Sequence, residues 1–525
     1  MTLDEFLYNI HFDIDKASDP NWQVDWDDAP LPYKLYSGLP AIPLSYEIPI
    51  TLEEPEAPKT PDLRRIGHFL WYVYGLTQFS QSAFTLDTCY NSAELMQSYR
   101  RFAPSGGALY PNELYMYLKI EDLPAGIYHY DLAHHRLLLL REGNFDSYIA
   151  RALGNRCAVS ACFGTIFVST MFWKNFFKYN NFAYRLQGLD TGVLMGQIIE
   201  TTNRFGFESG VYFQFLDRAI NHLLGLSDQE ESVYAIIPLT VEPTIWSFNG
   251  KDSEGIVTAA ELCRELPAIQ FNHYVRSRTV KEYPMLIKMN EASFQDSTQL
   301  FRQIPEKDSE NLKGQPIYLP YVKRLSNDLA SVCRKRFSPD MDFVLGKVSL
   351  SQLANLMQEA TGSFKYRNDL EDPNIEQDPR VLLFGCLYNV EGIPNGGYQY
   401  DITVHALRQV HEGDHRLLLQ SGMSLDNVNL LQVPLCFHVV GDKDYYKASL
   451  GYRGYRIQQM EAGILVQRLL LAASAIGMNG HPLLGFDVNL CDELYKLVLH
   501  EKTSLIQLPI GFYRNRPWLK GSLHG

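Results

Sequence analysis

Arg101–Tyr115, which reads RFAPSGGALYPNELY, is the stretch of sequence that decides the fold. A basic residue is followed by a Pro-Ser-Gly-Gly turn and then by the alternating apolar run Leu114–Ile120, which predicts a strand. Two adjacent glycines after a serine expose main-chain N–H groups and let a flat ligand approach the backbone closely. The same four residues are also typical of an ordinary tight turn before a strand, so the turn alone leaves both interpretations open.

Regular elements are predicted on both sides of this turn. Apolar periodicity predicts helices over Arg65–Leu76 and Glu94–Arg101, and a long helix over Tyr184–Phe205. Apolar runs bounded by turn residues predict further strands, at Ile127–Tyr130, Arg136–Leu140 and Thr165–Thr170.

The second half of the chain repeats the first. Tyr184–Gln187 matches Tyr455–Gln458 at an offset of 455 − 184 = 271, and at that same offset Gly192 meets Gly463. So long a shared register does not arise from helix periodicity alone. The repeat predicts a fused pseudo-dimer, because fusion lets the two sides of a two-fold interface diverge.

The differences between the two halves are complementary. Only the first half has the turn Pro104–Gly107, and the corresponding part of the second half, near Thr361–Lys365, lacks it. Only the second half has the basic cluster Cys333–Ser338 and the segment Pro482–Asp487, where the first half has Val211–Leu216. We therefore expect one composite site to survive at the interface, while its mirror image has decayed.

Chain length and the distribution of prolines and acidic residues divide the chain into four predicted segments. At 525 residues the chain is longer than an ordinary single core, so two domains are expected. Acidic residues and scattered prolines predict an extended N-terminal arm over 1–60. We predict a first domain over 61–245, a connector over 246–320 and a second domain over 321–525.

Composition excludes several classes of protein. A net charge of −13 argues against nucleic-acid binding, which needs a basic face. The eight cysteines form no Cys-x-x-Cys pair, so reduced, buried thiols in a cytoplasmic protein are expected. Met1–Glu5 is acidic and begins no apolar signal region. The apolar stretch Ile464–Met478 is interrupted by Gln467 and Arg468, so we predict a buried helix and no membrane span.

These motifs resemble the nitroreductase-like flavoproteins, and more closely their SagB-type branch. The resemblance rests on Arg-x-x-Pro-Ser-Gly-Gly-Ala-Leu-Tyr-Pro from Arg101, on the strand Gly126–Asp131, and on Lys178 and Tyr179. It covers both halves, roughly residues 25 to 520. It implies an α+β fold, with two nitroreductase-like domains fused as a pseudo-dimer and one FMN bound at their interface.

By this resemblance, Arg334 and Arg336 hold the FMN phosphate, with assistance from Arg514 and Arg516. A guanidinium presents a planar fork of donors that suits a dianion. The family motif commonly reads Arg-Arg-Ser, whereas this chain has Arg334-Lys335-Arg336. Taken alone, the cluster also fits a solvated helix end whose cations offset the helix dipole.

The flavin ring has its own expected neighbours. The resemblance places three residues of the second half near the isoalloxazine and brings the turn of the first half to the flavin with its preceding arginine. These residues are Leu484, Gly485 and Phe486 from the second half, and Arg101, Pro104, Ser105, Gly106 and Gly107 from the first.

Lys178 and Tyr179 are the candidate catalytic residues. Oxidising an azoline ring removes a hydride and a proton, and the proton needs a positioned base. A buried lysine can act as that base because desolvation lowers its pKa, and a tyrosine beside a cation can ionise or relay the proton. The alternative is that the pair only extends out of an aromatic-rich stretch, Phe172–Tyr179, towards solvent.

The leading functional hypothesis is an FMN-dependent dehydrogenase that oxidises thiazoline or oxazoline rings to azoles in a ribosomally made peptide, with oxygen reoxidising the flavin. The resemblance implies two partners, a heterocycle-containing precursor peptide and a cyclodehydratase complex. One alternative is an NAD(P)H-dependent reductase of nitro compounds or quinones. Another is a non-catalytic scaffold of a peptide-modifying complex.

The remaining polar candidates favour structural roles. Asp190 and Glu461 occupy matching helix positions and are expected to pair with Arg185 and Arg456 or to cap. His481 adjoins the Leu484 segment and fits either a ligand contact or a surface turn. No spacing typical of a metal site is found.

Overall fold

The structure is a computed structural model that describes residues 1–53, 55–84, 94–242, 255–305, 314–362, 366–371, 379–515 and 519–522. In the first half it contains helices α1 (Leu3–Phe12), α2 (Ile14–Ala17), α3 (Leu63–Tyr74), α4 (Asp146–Ala152), α5 (Trp173–Tyr179), α6 (Ala183–Arg204), α7 (Asp217–Leu224), α8 (Ala259–Glu265) and α9 (Pro284–Ala292). The strands of that half are β1 (Ala41–Pro43), β2 (Gln78–Phe84), β3 (Glu94–Arg100), β4 (Asn112–Leu118), β5 (Gly126–Asp131), β6 (Arg136–Glu142), β7 (Gly164–Met171), β8 (Glu208–Val211) and β9 (Glu231–Thr240).

The second half continues with helices α10 (Leu329–Lys335), α11 (Leu350–Met357), α12 (Arg416–Ser421), α13 (Lys447–Leu450), α14 (Arg453–Ala475) and α15 (Val488–Leu494). Its strands are β10 (Pro316–Tyr318), β11 (Phe343–Val344), β12 (Arg367–Asn368), β13 (Leu382–Leu387), β14 (Gly396–Asp401), β15 (Ala406–Glu412), β16 (Leu435–Asp442), β17 (Asn479–Gly480), β18 (Lys502–Tyr513) and β19 (Leu519–Ser522).

Each half builds a sheet in the same strand order. The first sheet runs β1-β6-β5-β4-β7-β9-β8, and the second runs β10-β15-β14-β13-β16-β18-β17, in which the register of β17 with β18 repeats that of β8 with β9 271 residues later. Strand β11 also pairs with β18. A bulge between Ile127 and Tyr128 recurs between Gly397 and Tyr398, so even the irregularities follow the sequence repeat. Two additions break the symmetry. Strand β12 of the second half pairs in parallel with β8, and β19 pairs with the hairpin β2–β3.

The long helices α6 and α14 cross at the centre of the molecule. A Cβ at Gly192 would lie 2.0 Å from the Met460 carbonyl oxygen, and one at Gly463 would lie 2.3 Å from that of Leu189. The absence of side chains at both glycines therefore lets the two backbones touch. The Tyr184 and Tyr455 rings stack at 6.1 Å nearby. The repeat in the sequence thus becomes a helix pair in which equivalent residues meet.

Several predicted elements agree with the structure. The long helix predicted over Tyr184–Phe205 is α6, and the strands predicted from Leu114, Ile127, Arg136 and Thr165 are β4 to β7 within two residues. The helix predicted over Arg65–Leu76 is α3.

Other predictions are wrong. Glu94–Arg101 was predicted as a helix but holds strand β3, because pairing with β2 overrides local propensity. The N-terminal arm is not wholly extended. Its first residues form α1, which begins with a Thr2–Glu5 capping box. The predicted irregular connector contains α8 and α9.

Two further predictions concern the state of the cysteines and the presence of a membrane-spanning helix. The seven cysteines within the described ranges are all free thiols, six of them buried, while Cys89 lies outside those ranges. Over the same residues, none of the helices combines the length and the apolar character needed to span a bilayer.

Candidate functional site

The Pro-Ser-Gly-Gly turn is tied to the central helix by one carboxylate. Ser105 Oγ donates to Asp190 Oδ2 at 2.6 Å, and Gly106 N donates to Asp190 Oδ1 at 3.0 Å. Ser105 Oγ in turn accepts from Tyr110 N at 2.9 Å. Gly107 has φ +63°, and Tyr110 also lies in the left-handed region with φ +49°. This conformation is rare outside glycine, and the hydrogen bonds around Ser105 hold it in place.

Asp190 is buried in α6, and burial raises the pKa of its carboxyl to about 6 although both hydrogen bonds oppose the change. The predicted pairing of Asp190 with Arg185 is wrong, since Arg185 donates to main-chain carbonyls. Glu461, the repeat partner of Asp190, pairs with Arg380 at 2.8 Å and not with Arg456. The two acids at matching positions therefore have different partners: Glu461 binds an arginine, and Asp190 binds the glycine turn.

Lys178 and Tyr179 lie directly beside this turn. A Cβ at Gly107 would lie 2.6 Å from Tyr179 Oη and 2.9 Å from Lys178 Nζ, so both polar atoms lie close to the turn, and the backbone conformation at this position favours glycine. Burial lowers the pKa of Lys178. Burial, together with the negative charge of Asp190, raises the pKa of Tyr179 above its ordinary range. This direction argues against easier ionisation of Tyr179, and its role as a proton relay stays a prediction.

Trp26 of the N-terminal arm forms an outer wall of this region. The ring lies 5.3 Å from Lys178 Nζ and packs edge-on against Phe177, and 54% of its surface is exposed. Sequence reasoning missed Trp26. The signal available was an aromatic residue within an acidic, proline-punctuated segment.

Arg101 is buried between two aromatic rings. Its guanidinium carbon lies 4.1 Å from the ring centroids of both Tyr74 and Tyr110. One Nη donates to the Pro32 carbonyl at 2.5 Å. Its Nε and its other Nη have no hydrogen-bond partner among the described residues. A buried cation with unused donors is costly unless a ligand supplies acceptors.

Arg336 reaches the same region from the second half. It follows the last turn of α10, and its Nε donates to the Phe102 carbonyl at 2.9 Å. Burial lowers the pKa of Arg336 to about 10. Its Nη1 finds no acceptor in the part of the chain that the structure describes. Arg101 and Arg336 thus bring two buried guanidiniums, one from each half, to a single place.

Of the other predicted phosphate contacts, two are exposed at the surface. Arg334 is 45% exposed at its side chain, donates to the Ile50 carbonyl at 2.8 Å and lies 3.9 Å from Asp328. Arg514 is exposed, just after β18. Arg516 lies outside the described residues.

A cavity of about 130 Å³ lies between the two arginines. Both halves line it, with α3 and the base of the β2–β3 hairpin on one side and the end of α10 on the other. The lining includes Ile48, Pro49, Trp71, Tyr72, Thr77, Gln78, Arg100, Arg101, Phe102, Cys333, Arg334 and Arg336.

Leu484, Gly485 and Phe486 follow β17 on the second-half side. Leu484 packs against the apolar clusters of both halves, so it lies at their boundary. Gly485 accepts a hydrogen bond from Ser424 N at 3.0 Å, and Phe486 is buried. Within the described ranges the amides of Leu484 and Gly485 donate to no acceptor.

A buried ionic cluster behind the turn was missed by sequence reasoning. Lys174 pairs with Glu113 and donates to the Tyr110 carbonyl at 3.3 Å, and Lys34 pairs with Glu231 at 2.6 Å beside it. Burial alone would raise the pKa of Glu113, but Lys174 and His129 together outweigh burial and hold that pKa below its usual range. The signal available was a pair of isolated charges, Glu113 and Lys174, inside apolar runs.

Two histidines lie beside carboxylates. His481 Nδ1 lies 2.9 Å from Asp340, and His134 lies 2.9 Å from Asp131. Across the residues that the structure describes, His, Cys, Asp and Glu form no group able to hold a metal ion.

Comparisons with known proteins agree with this architecture. Residues 80–239 match the model of the nitroreductase family. A crystal structure from Anabaena variabilis, described as a nitroreductase, is 22% identical, covers 98% of this chain and 99% of its own, and superposes with a TM-score of 0.72. The trifolitoxin-processing protein TfxB of Rhizobium leguminosarum bv. trifolii is 29% identical over 142 residues, which are 25% of this chain and 37% of that relative.

Proposed function

Since the chain carries a nitroreductase family domain and has the nitroreductase α+β fold, we propose that it is an FMN-dependent oxidoreductase built as a fused pseudo-dimer, with domains over 61–245 and 321–525. Proteins of that family are generally flavin-dependent. The observation that carries the proposal is the meeting of Arg101 and Arg336, two buried guanidiniums with unused donors, at the boundary of the halves. An anionic cofactor satisfies both.

The residues present fit FMN. Arg336 is the principal phosphate ligand because it is buried, and Arg334 and Arg514 assist from the surface, with Arg516 as a further predicted contact. The unused amides of Leu484 and Gly485 suit acceptor atoms of the flavin ring, and the turn Pro104–Gly107 covers the ring from the first half. Bound FMN supplies two-electron redox chemistry.

The proton is handled by Lys178. Burial lowers the pKa of its ammonium group, so a larger fraction of the side chain is a neutral amine able to accept a proton from a substrate carbon. The raised pKa of Tyr179 keeps its hydroxyl protonated, so it is able to donate a hydrogen bond to the substrate. Gly107 provides the space in which both polar atoms approach the turn. The turn itself is fixed by Asp190 through Ser105.

The substrate in this proposal is an azoline ring of a ribosomally made precursor peptide, oxidised to the azole. The likeness to TfxB, a protein named for trifolitoxin processing, supports a peptide substrate. A cyclodehydratase complex is the partner that forms the azoline. The exposed Trp26 beside Lys178 offers an apolar surface for a heterocycle.

The test begins with the purified protein and FMN. Its absorbance spectrum gives the flavin content, and an azoline-containing peptide is then followed by mass spectrometry. Loss of two hydrogens per ring, dependent on flavin and independent of NAD(P)H, is expected. Rapid NAD(P)H-dependent turnover with a quinone but no peptide oxidation would move the protein to the small-molecule reductases. Failure to bind any flavin would leave a scaffold role.

A further inference from the structure

The two halves can be aligned residue by residue around the candidate flavin segment. An isolated β-bridge joins Tyr212 to Ile236 in the first half, and another joins Leu483 to Gln507 in the second. Both members of the second bridge lie 271 residues after those of the first, since 483 − 212 = 271 and 507 − 236 = 271. The two residues that follow Tyr212 are therefore the structural counterparts of the two that follow Leu483.

In the first half these counterparts are already bonded within the chain. Phe213 N donates to Asp369 Oδ1 at 2.9 Å, and Gln214 N donates to Asp369 Oδ2 at 3.0 Å. The carboxylate is fully buried and lies 3.1 Å from Arg156 Nη1. One carboxylate thus takes both amides and carries its own counter-charge, which is the arrangement that makes a buried anion tolerable.

The segment that carries Asp369 comes from the other half of the chain. Strand β12 pairs in parallel with β8, with Asn368 opposite Val211, and this register sets Asp369 against the next two residues. Asp369 N also donates to the Val211 carbonyl at 3.2 Å. In the second half no carboxylate accepts from the equivalent amides, since those of Leu484 and Gly485 have no acceptor among the described residues.

We propose that Asp369 is an internal occupant of the mirror-image cofactor position, which closes that position and limits each chain to one flavin. The inference rests on the proposed function in assigning the open copy, at Leu484 and Gly485, to flavin. The closed copy is defined by contacts within the chain alone, so the two statements can fail separately.

The first measurement uses the unmodified protein. Apoprotein is titrated with FMN while bound flavin per chain and amide hydrogen exchange, resolved to single residues, are recorded. We expect one flavin per chain and slower exchange at Leu484 and Gly485 after FMN is added. Phe213 and Gln214 should exchange slowly before FMN is added and remain unchanged afterwards. A ratio of two, or new protection at Phe213 and Gln214 on FMN addition, overturns the proposal.

The second measurement uses Asp369→Ala in the apoprotein, with Asp369→Asn as the milder variant should alanine prevent folding. Loss of the shared acceptor should accelerate exchange at Phe213 and Gln214 by about tenfold or more. Asp492→Ala is the matched control. It removes another buried carboxylate that accepts an amide, from Ser504 N at 2.7 Å, and should spare Phe213. Unchanged exchange in both Asp369 variants contradicts the role of Asp369.

The two proposals then separate cleanly. If the wild-type protein binds no FMN but Asp369→Ala still releases Phe213 and Gln214, the flavin function fails and internal occupancy stands. If FMN binds at one equivalent and the variants leave both amides protected, the flavin function stands and the internal occupant is rejected.

Discussion

The hydroxyl of Ser105 donates to the carboxylate of Asp190 over 2.6 Å, across the boundary between a glycine-rich turn and the buried central helix. Asp190 has no cationic partner in this contact. Burial raises the pKa of its carboxyl, and only the hydrogen bonds from Ser105 and Gly106 lower it. The turn beside Lys178 is therefore held by a carboxylate that is costly to keep charged.

Asp190→Asn should raise stability near neutral pH and remove part of its pH dependence. The pKa of Asp190 is raised from 3.8 to about 6 in the folded protein, so the folded state keeps a proton that the unfolded state has lost between those values. Stability from the protonated carboxyl is complete below about pH 4 and is lost as pH rises through about 6, a change of about 3 kcal/mol. An asparagine at position 190 has nearly the same side-chain shape as the aspartate but carries no ionisable group.

Urea unfolding at about pH 4 and about pH 7 measures this effect. We expect the stability of the wild type relative to Asp190→Asn to fall between the two pH values. Parallel pH curves for the two proteins would mean that Asp190 is not desolvated in solution.

Arg336→Ala should weaken FMN binding far more than Arg334→Ala. Arg336 is buried and has an unused donor, whereas Arg334 is about half exposed and already bonded to the Ile50 carbonyl. A charged hydrogen bond in a buried site contributes about 1.5–3 kcal/mol, or about 10- to 150-fold in the dissociation constant. The exposed arginine should change the constant by less than about fivefold. Fluorescence titration of the apoproteins measures both, and equal losses would contradict the ranking.

Lys178→Met should keep FMN but slow azoline oxidation by about 10²- to 10⁴-fold, the usual contribution of a positioned acid or base. Because burial lowers the pKa of Lys178, the wild-type rate should rise with pH below the range of an ordinary lysine, and the variant should lose that rise. Single-turnover flavin reduction by peptide gives the rate. Lys281→Met is the control, since Lys281 is an exposed lysine that lies 4.0 Å from the Trp22 ring. Normal turnover in Lys178→Met would remove the lysine from the mechanism.

Gly192→Ala should disrupt the crossing of α6 and α14. The added methyl would lie 2.0 Å from the Met460 carbonyl oxygen, a main-chain atom that cannot move without shifting the helix. Overpacking of this kind costs about 1–3 kcal/mol or more. Gly67→Ala, also within a helix, meets the Leu44 side chain only at 3.2 Å and serves as control. Chemical unfolding compares the two, and similar midpoints would show that the crossing can relax.

The repeat made the centre of the fold predictable. The match of Gly192 with Gly463 anticipated that the two helices are equivalent, and the structure places both glycines at the contact. The turn and Lys178 were predicted separately from motifs, and Gly107 brings them together. These features were predictable because each has a signal in the local sequence: the paired glycines of the helices through the repeat, and the turn and Lys178 through short motifs.

Features that depend on distant pairing could not be predicted. Arg334 and Arg336 are two positions apart, so they face different sides of the chain, and the sequence does not say which side is buried. Asp369 has no local signal, because its partners are main-chain amides more than 150 residues away, at |i−j| = 156 and 155. Strand β3 belongs to a three-stranded sheet in which its partner β2 also pairs with β19, from the other end of the chain.

The contact of Gly192 with the α14 backbone has a consequence for dilute solutions. In a dimer of separate subunits such an interface is lost when the protein is scarce, because its stability depends on protomer concentration. Here both helices belong to one polypeptide, so the second helix is always present at an effective concentration set by the connecting chain. The pocket between Arg101 and Arg336 therefore persists however few copies of the protein are present.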